Sequence, residues 1–163
     1  MINEKEYNEA VKAYTKNIFR FVYKHLKDRE AANDLVQDCF LKLWQNKADI
    51  NNLKIKPWLF SVAHHAMINY IKTEARKTNL EDPAIYQIAV ASLQEFDVKE
   101  IIERSLAELT HMQRSIILLR DLEGYSYNEI GNILLLNESQ VKVYLFRARQ
   151  RMKDSIKILT AVL

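Results

Sequence analysis

Glycine and proline are almost absent, with two of each in 163 residues. So little turn-forming material argues against a β-rich chain, and the apolar residues recur at helical period nearly throughout. A single cysteine, Cys39, excludes an internal disulfide framework and suits a reducing cytoplasm. Its place in an apolar-periodic segment predicts a small core residue. No apolar run approaches the length of a membrane span, and residues 1–6 lack the apolar stretch of a signal peptide. Also missing are a glycine-rich phosphate loop, Cys/His metal spacing and a G-x-S-x-G nucleophile turn. His64 and His65 are adjacent, so their rings face different sides of a helix and share no metal. These absences argue for binding rather than catalysis, with no cofactor, no metal and no catalytic residue expected.

What is present is hydrophobic content of 48%, enough for real cores, arranged as helices. Apolar residues from Tyr7 to Leu26 fit one long amphipathic helix, and Asp28 is placed to cap the next. That second helix predicts a buried stripe of Ala31, Leu35, Cys39 (or Val36 and Phe40), Leu43 and Trp44. Residues 46–56 lose the period and read as a loop. Pro57 then stands where a helix accepts a first-turn proline, and the pattern runs to about Arg76. Residues 78–96 break it again, with a helical turn expected around Tyr86 to Leu93. The fold expected is all-α, with two small helical domains at 1–77 and 98–163 joined by a linker at 78–97.

The stretch from Gly124 to Arg149 carries two helix starts in quick succession. Ser126 with Glu129, and Asn137 with Gln140, both have capping-box spacing, as does Thr110 with Gln113 upstream. Ile130, Ile133 and Leu134 give the first helix one apolar face; Val141, Leu145 and Ala148 do so for the second. Two short-linked helices, the second bearing Lys142, Arg147 and Arg149, predict a DNA-binding helix-turn-helix. A mid-helix glycine costs about 1 kcal/mol against alanine. Gly131 therefore suggests a close helix crossing that a larger side chain would wedge apart.

Net charge is only +3, but its distribution is informative. Residues 141–157 hold six Lys/Arg against the lone acid Asp154, and 57–77 hold Lys72, Arg76 and Lys77 against Glu74. Residues 28–38 instead carry Asp28, Glu30, Asp34 and Asp38 against Arg29. Solvated helix faces account for each cluster taken singly. Two other readings are a DNA-binding regulator that uses the C-terminal helix-turn-helix alone, its N-terminal half a sensing or dimerising domain, and a helical adaptor that binds protein only. A plain regulator needs neither the basic 57–77 helix nor the acidic 28–38 one.

Four blocks, residues 34–44, 56–63, 122–130 and 141–149, occur in an order that resembles the extracytoplasmic-function sigma factors, the minimal initiation subunits of bacterial RNA polymerase. The resemblance implies a factor that docks on core polymerase, recognises minus-35 and minus-10 promoter elements and promotes strand opening. It implies a contact through Asp34, Gln37, Asp38 and Leu41 with the clamp of the largest polymerase subunit, and another contact with the flap of the second. For the minus-10 element it implies Asn51, Asn52 and Lys54 in the loop, with His65 and Asn69 at bases and Lys72 and Arg76 at phosphates. For the minus-35 element it implies Ser139, Gln140, Val143 and Tyr144 toward bases, with Lys142, Arg147 and Arg149 near phosphates. An anti-sigma partner, tethered to the membrane, is implied likewise. The usual Gly-Thr-Val-Lys-Ser-Arg run is here Ser-Gln-Val-Lys-Val-Tyr over 139–144, so the promoter sequence read does not transfer from relatives.

Overall fold

A computed structural model describes residues 1–77 and 97–161. Among these residues the regular structure is helical: α1 (Glu4–Leu26), α2 (Arg29–Gln45), α3 (Ile55–Lys77), α4 (Val98–Ala107), α5 (His111–Ile117), α6 (Tyr127–Leu134) and α7 (Glu138–Ala161), with a 3-10 turn at Asn52–Lys54 and a π turn at Leu118–Leu122. None of the described helices is long and apolar enough to cross a membrane. The turn expected around Tyr86 to Leu93 lies outside the described residues.

Local chemistry sets most of the boundaries. Asn3 and Glu6 form a capping box at the start of α1, and Lys27 closes that helix in the left-handed conformation. The Asp28 carboxylate accepts from the Ala31 amide and opens α2. Asn51 accepts from the Leu53 amide, which tightens the loop into the 3-10 turn, and α3 follows at once. α3 therefore begins two residues ahead of Pro57, with the proline inside the first turn, where its missing N–H has no helical partner to lose. Thr110–Gln113 and Ser126–Glu129 make both capping bonds, and Asn137–Gln140 does the same before α7.

The helices α1–α3 pack around Ile18, Phe21, Val22, Leu43, Leu59, Phe60 and Met67, all essentially inaccessible to solvent. Cys39 belongs to this core, and burial, then the neighbouring Asp38, pushes its thiol up to about 12, so it is inert. Trp44 departs from the expected stripe. It is 38% exposed, edge-on to Tyr7, with the Lys47 ammonium 3.3 Å over its ring. The buried face of α2 is instead Ala32, Leu35, Val36, Cys39, Phe40 and Leu43. The same core continues into the C-terminal helices through Ile116, Leu119, Ile130, Ile133, Val141, Leu145 and Ala148.

Gly131 and Gly124 serve different needs. A Cβ on Gly131 would lie 2.5 Å from the Leu136 carbonyl oxygen, with Val141 Cγ2 at an ordinary 3.8 Å. The crowding thus comes from the turn backbone rather than the facing helix, and even alanine is too large. Gly124 has open space around it but φ +76°, a conformation unfavourable to residues with a Cβ. Gly131→Ala is expected to lower stability by about 3 kcal/mol through overpacking, and Gly124→Ala by about 1 kcal/mol through backbone strain. Urea denaturation of the two variants checks the order; equal losses would show that the turn carbonyl yields freely.

Candidate nucleic-acid and polymerase interface

Helical spacing delivers the N-terminal candidate residues to the surface. Asp34, Gln37, Asp38 and Leu41 form one exposed stripe on α2, opposite its buried face, and Leu41 is 52% exposed. Asp38 pairs with Lys42 at 2.9 Å within the helix. On α3, His65, Asn69, Lys72 and Arg76 are all exposed. His65 Nδ1 donates to the Ser61 carbonyl at 2.7 Å, which orients this exposed ring. Asn69 opens onto a groove between the two helices, whose other wall includes Asp28, Asp34 and Asp38. The acidic stripe and the base-facing candidate therefore share one cleft.

In the loop, Asn51 is committed to its cap and Asn52 donates to Glu6 at 3.0 Å. Leu53 between them is 90% exposed, and Lys54 is exposed beside it. Sequence reasoning passed over Leu53, although an apolar residue at the apex of a polar loop is itself a signal.

The C-terminal candidates fall on α7 with one exception. Ser139, Gln140, Lys142, Val143, Arg147 and Arg149 are exposed. Tyr144 is half-buried and packs against the core, so the outward face carries Val143 and Phe146, 46% and 70% exposed. Lys142 pairs with Glu138 at 3.1 Å. Arg149 engages both carboxylate oxygens of Asp121, at 2.5 and 3.3 Å, and that bond raises its already high basicity. Arg147 has no ion-pair partner among the described residues, and neither do Lys72 and Arg76.

The structure also contains a seam that local sequence patterns did not reveal: the two helical groups dock on each other. Phe60 stands edge-on to Phe21 at 5.4 Å and to Tyr125 at 5.5 Å. Ser61 donates to the Ile133 carbonyl. Glu123, its side chain 3% exposed, accepts from Asn17 at 3.0 Å and Arg20 at 2.8 Å, with Lys56 at 3.8 Å. At the other end Glu103 takes both Lys24 and Lys27. Burial pushes the Glu103 carboxyl up, but the two lysine hydrogen bonds outweigh it and hold it below its usual range.

The seam also holds a cluster of histidines with Ser115 and Arg114. Ser115 Oγ is 3.2 Å from His25 Nε2 and 3.2 Å from His64 Nδ1, while His25 Nδ1 is 3.3 Å from His111 Nδ1. Burial, then Arg114, holds His25 down to about 2; burial, then His65, holds His64 down to about 4. His111 is lowered by the same two causes as His25. Arg114 is 5% exposed and donates to the Leu106, Ala107 and Leu109 carbonyls at 2.9–3.1 Å, and to the Lys24 carbonyl at 3.3 Å. The sequence signal was present but cryptic: His25 stands at a buried position of α1, and Arg114–Ser115 directly precede the apolar run at 116–119.

Two family models match this chain in order: Sigma-70 region 2 over residues 10–77 and Sigma-70 region 4 over residues 99–152. The ECF RNA polymerase sigma factor SigM of Bacillus subtilis (strain 168) is 32% identical over 150 residues, 90% of this chain and 92% of that protein. The RNA polymerase sigma factor YlaC of the same organism is 28% identical, over 91% of this chain and 90% of its own. In fold, the chain resembles the sigma factor RpoE solved with the anti-sigma factor NepR from Bartonella quintana, with TM-score 0.74, 22% identity and coverage of 94% and 98%. It also resembles CnrH solved with the cytosolic domain of CnrY, with TM-score 0.70, 17% identity and coverage of 96% and 90%. The chain belongs to the extracytoplasmic-function sigma factors. It is an initiation factor that binds RNA polymerase and recognises promoter DNA; a regulator acting without polymerase is not favoured.

Arg114→Met keeps the apolar stem and removes every donor. Four buried carbonyls then lose a partner, and the expected cost is at least about 3 kcal/mol. A urea midpoint within error of the parent protein would show that these bonds are replaced by others.

Proposed function

We propose that residues 1–77 bind core polymerase and the minus-10 element, that 78–97 connect, and that 98–163 read the minus-35 element as duplex. The exposed acidic stripe of Asp34, Gln37, Asp38 and Leu41 supports the polymerase contact, because a stripe of one sign beside an exposed leucine suits a basic and apolar partner surface. Asn51, Asn52, Lys54, His65, Asn69, Lys72 and Arg76 take the minus-10 strand, with the free cations at phosphates and the polar tips at bases. Ser139, Gln140 and Val143 enter the major groove, flanked by Lys142 and Arg147 at phosphates. Tyr144 supports the edge of the helix from its half-buried position, and Arg149 reaches a phosphate only by leaving Asp121. The factor works in the cytoplasm, carries out no covalent chemistry, contacts the flap of the second subunit, and is held in check by an anti-sigma factor.

Strand opening on this reading is driven by binding energy for the displaced strand. Reach is the physical demand. Boxes at minus-35 and minus-10 are about 25 base pairs apart, roughly 85 Å of B-form DNA. A compact chain of this length has a radius of gyration of about 15 Å. Reading both boxes therefore requires the docked halves to separate.

The observation that carries the proposal is one chain with an acidic exposed stripe on α2 and, on α3 and α7, exposed cations (Lys72, Arg76 and Arg147) that have no ion-pair partner among the described residues. Run-off transcription with sigma-free core polymerase on genomic fragments tests it. New starts sharing two upstream boxes at fixed spacing are expected. Asp34→Ala with Gln37→Ala is expected to weaken core binding at least tenfold while leaving salt-dependent duplex binding unchanged. Core binding at parental strength would move the polymerase contact elsewhere.

A further inference from the structure

We propose that the histidine–serine seam between the two helical groups is an acid-sensitive latch, closed while His25, His64 and His111 are neutral and opened by their protonation. The latch is a property of the chain alone; only its bearing on transcription rests on the reading above.

The geometry accommodates neutral rings in one continuous chain. The Ser115 hydroxyl has one proton to donate, so it donates to one imidazole and accepts from the other. His25 then passes the pattern on to His111 through its second nitrogen. Four groups from α1, α3 and α5 are satisfied with no net charge. The titratable and charged groups acting on these rings are Lys27 from α1, His65 from α3, and Arg114 from α5, all basic, besides the rings themselves. Among the described residues no carboxylate of α2 or α6 acts on them. The nearest flanking acid, Glu103 of α4, is taken by Lys24 and Lys27. A proton arriving on His25 or His64 meets a buried site beside the Arg114 guanidinium, and both burial and that like charge oppose it at His25.

The direction follows from linkage. The closed form holds the His25 and His64 pKa values well below the ordinary 6.5, so it binds fewer protons than the open form. Closing is favoured fully above that range and progressively lost as pH falls through it. Between pH 7.5 and 5.5 each of these two rings lowers the closed-to-open ratio about tenfold, about a hundredfold together. His111 adds in the same direction. Glu103 does not offset this, because its carboxyl stays ionised over the whole interval.

Small-angle scattering of the full chain at constant ionic strength, with far-ultraviolet dichroism in parallel, reads the latch. The expected result is a radius of gyration near 15 Å at pH 7.5 that increases toward pH 5.5 while helical content holds. His25→Gln with His64→Asn keeps a neutral partner for Ser115 and cannot take a proton, so its radius is expected to stay constant. An unchanged parental radius, expansion accompanied by loss of helix, or a double variant that expands like the parent each overturns the latch. Should the double variant fail to fold, His111→Asn at the half-buried rim is expected to blunt the response. A response equal to the parent's in that variant also overturns it. None of these readouts involves polymerase or DNA, so failure of the latch and failure of the promoter reading are separable.

Discussion

The interior position of one guanidinium governs much of this molecule. Arg114 is almost wholly withdrawn from solvent, and its donors meet carbonyls at the C-terminal ends of α4 and α1, which offsets part of the cost of burying a charge there. Those bonds fix the corner between α4 and α5. They also hold the start of α5 against the end of α1, which places Ser115 and His111 over His25. Burial first, and then the same positive charge, hold the His25 and His111 rings below their ordinary pKa. A structural requirement of the C-terminal half thereby becomes an electrostatic property of the seam.

Charge is divided among the helices by task. The α2 stripe is acidic, and α3 and α7 present exposed cations, among them Lys72, Arg76 and Arg147, which have no ion-pair partner among the described residues. Acidic side chains elsewhere are used internally: Glu123 and Glu103 clamp the halves together, and Asp121 holds Arg149. A net charge of +3 hides this, because carboxylates such as Glu103, Asp121 and Glu123 are engaged by neighbours within the chain. The balance keeps a surface that attracts phosphate at α3 and α7 separate from one that repels it at α2, with Asn69 at the boundary.

Elements governed by neighbours three or four residues away were legible in the sequence. The four side-chain caps at Asp28, Thr110, Ser126 and Asn137 all stand where spacing put them, and both domain cores follow the apolar period. So does the exposure of the α2 stripe and of His65, Asn69, Lys72 and Arg76. What escaped depends on partners far along the chain. Ser115 and His25 are 90 residues apart, and no periodicity reports such a pairing. Tyr144 and Trp44 were misplaced for a subtler reason: each sits on the boundary of an apolar arc, where a turn of a few tens of degrees decides between surface and core. The Gly131 contact was anticipated at the right residue but with the wrong partner, since turn carbonyls do not appear in a side-chain pattern.

The π turn at Leu118–Leu122 amounts to one residue inserted into a helix, with the Glu123 amide reaching back to the Leu118 carbonyl. Each residue advances an α-helix by about 100°. Glu123 and Asp121 thus project from positions that an uninterrupted helix from His111 onward would have sent elsewhere around its axis. The chain gains a phase shift that no side chain encodes. Through it one short turn supplies an anion to the N-terminal half at Arg20 and another to α7 at Arg149. Excision of a single residue there would leave the flanking helix-forming propensities intact and yet rotate both anions out of register, loosening their hold on Arg20 and Arg149.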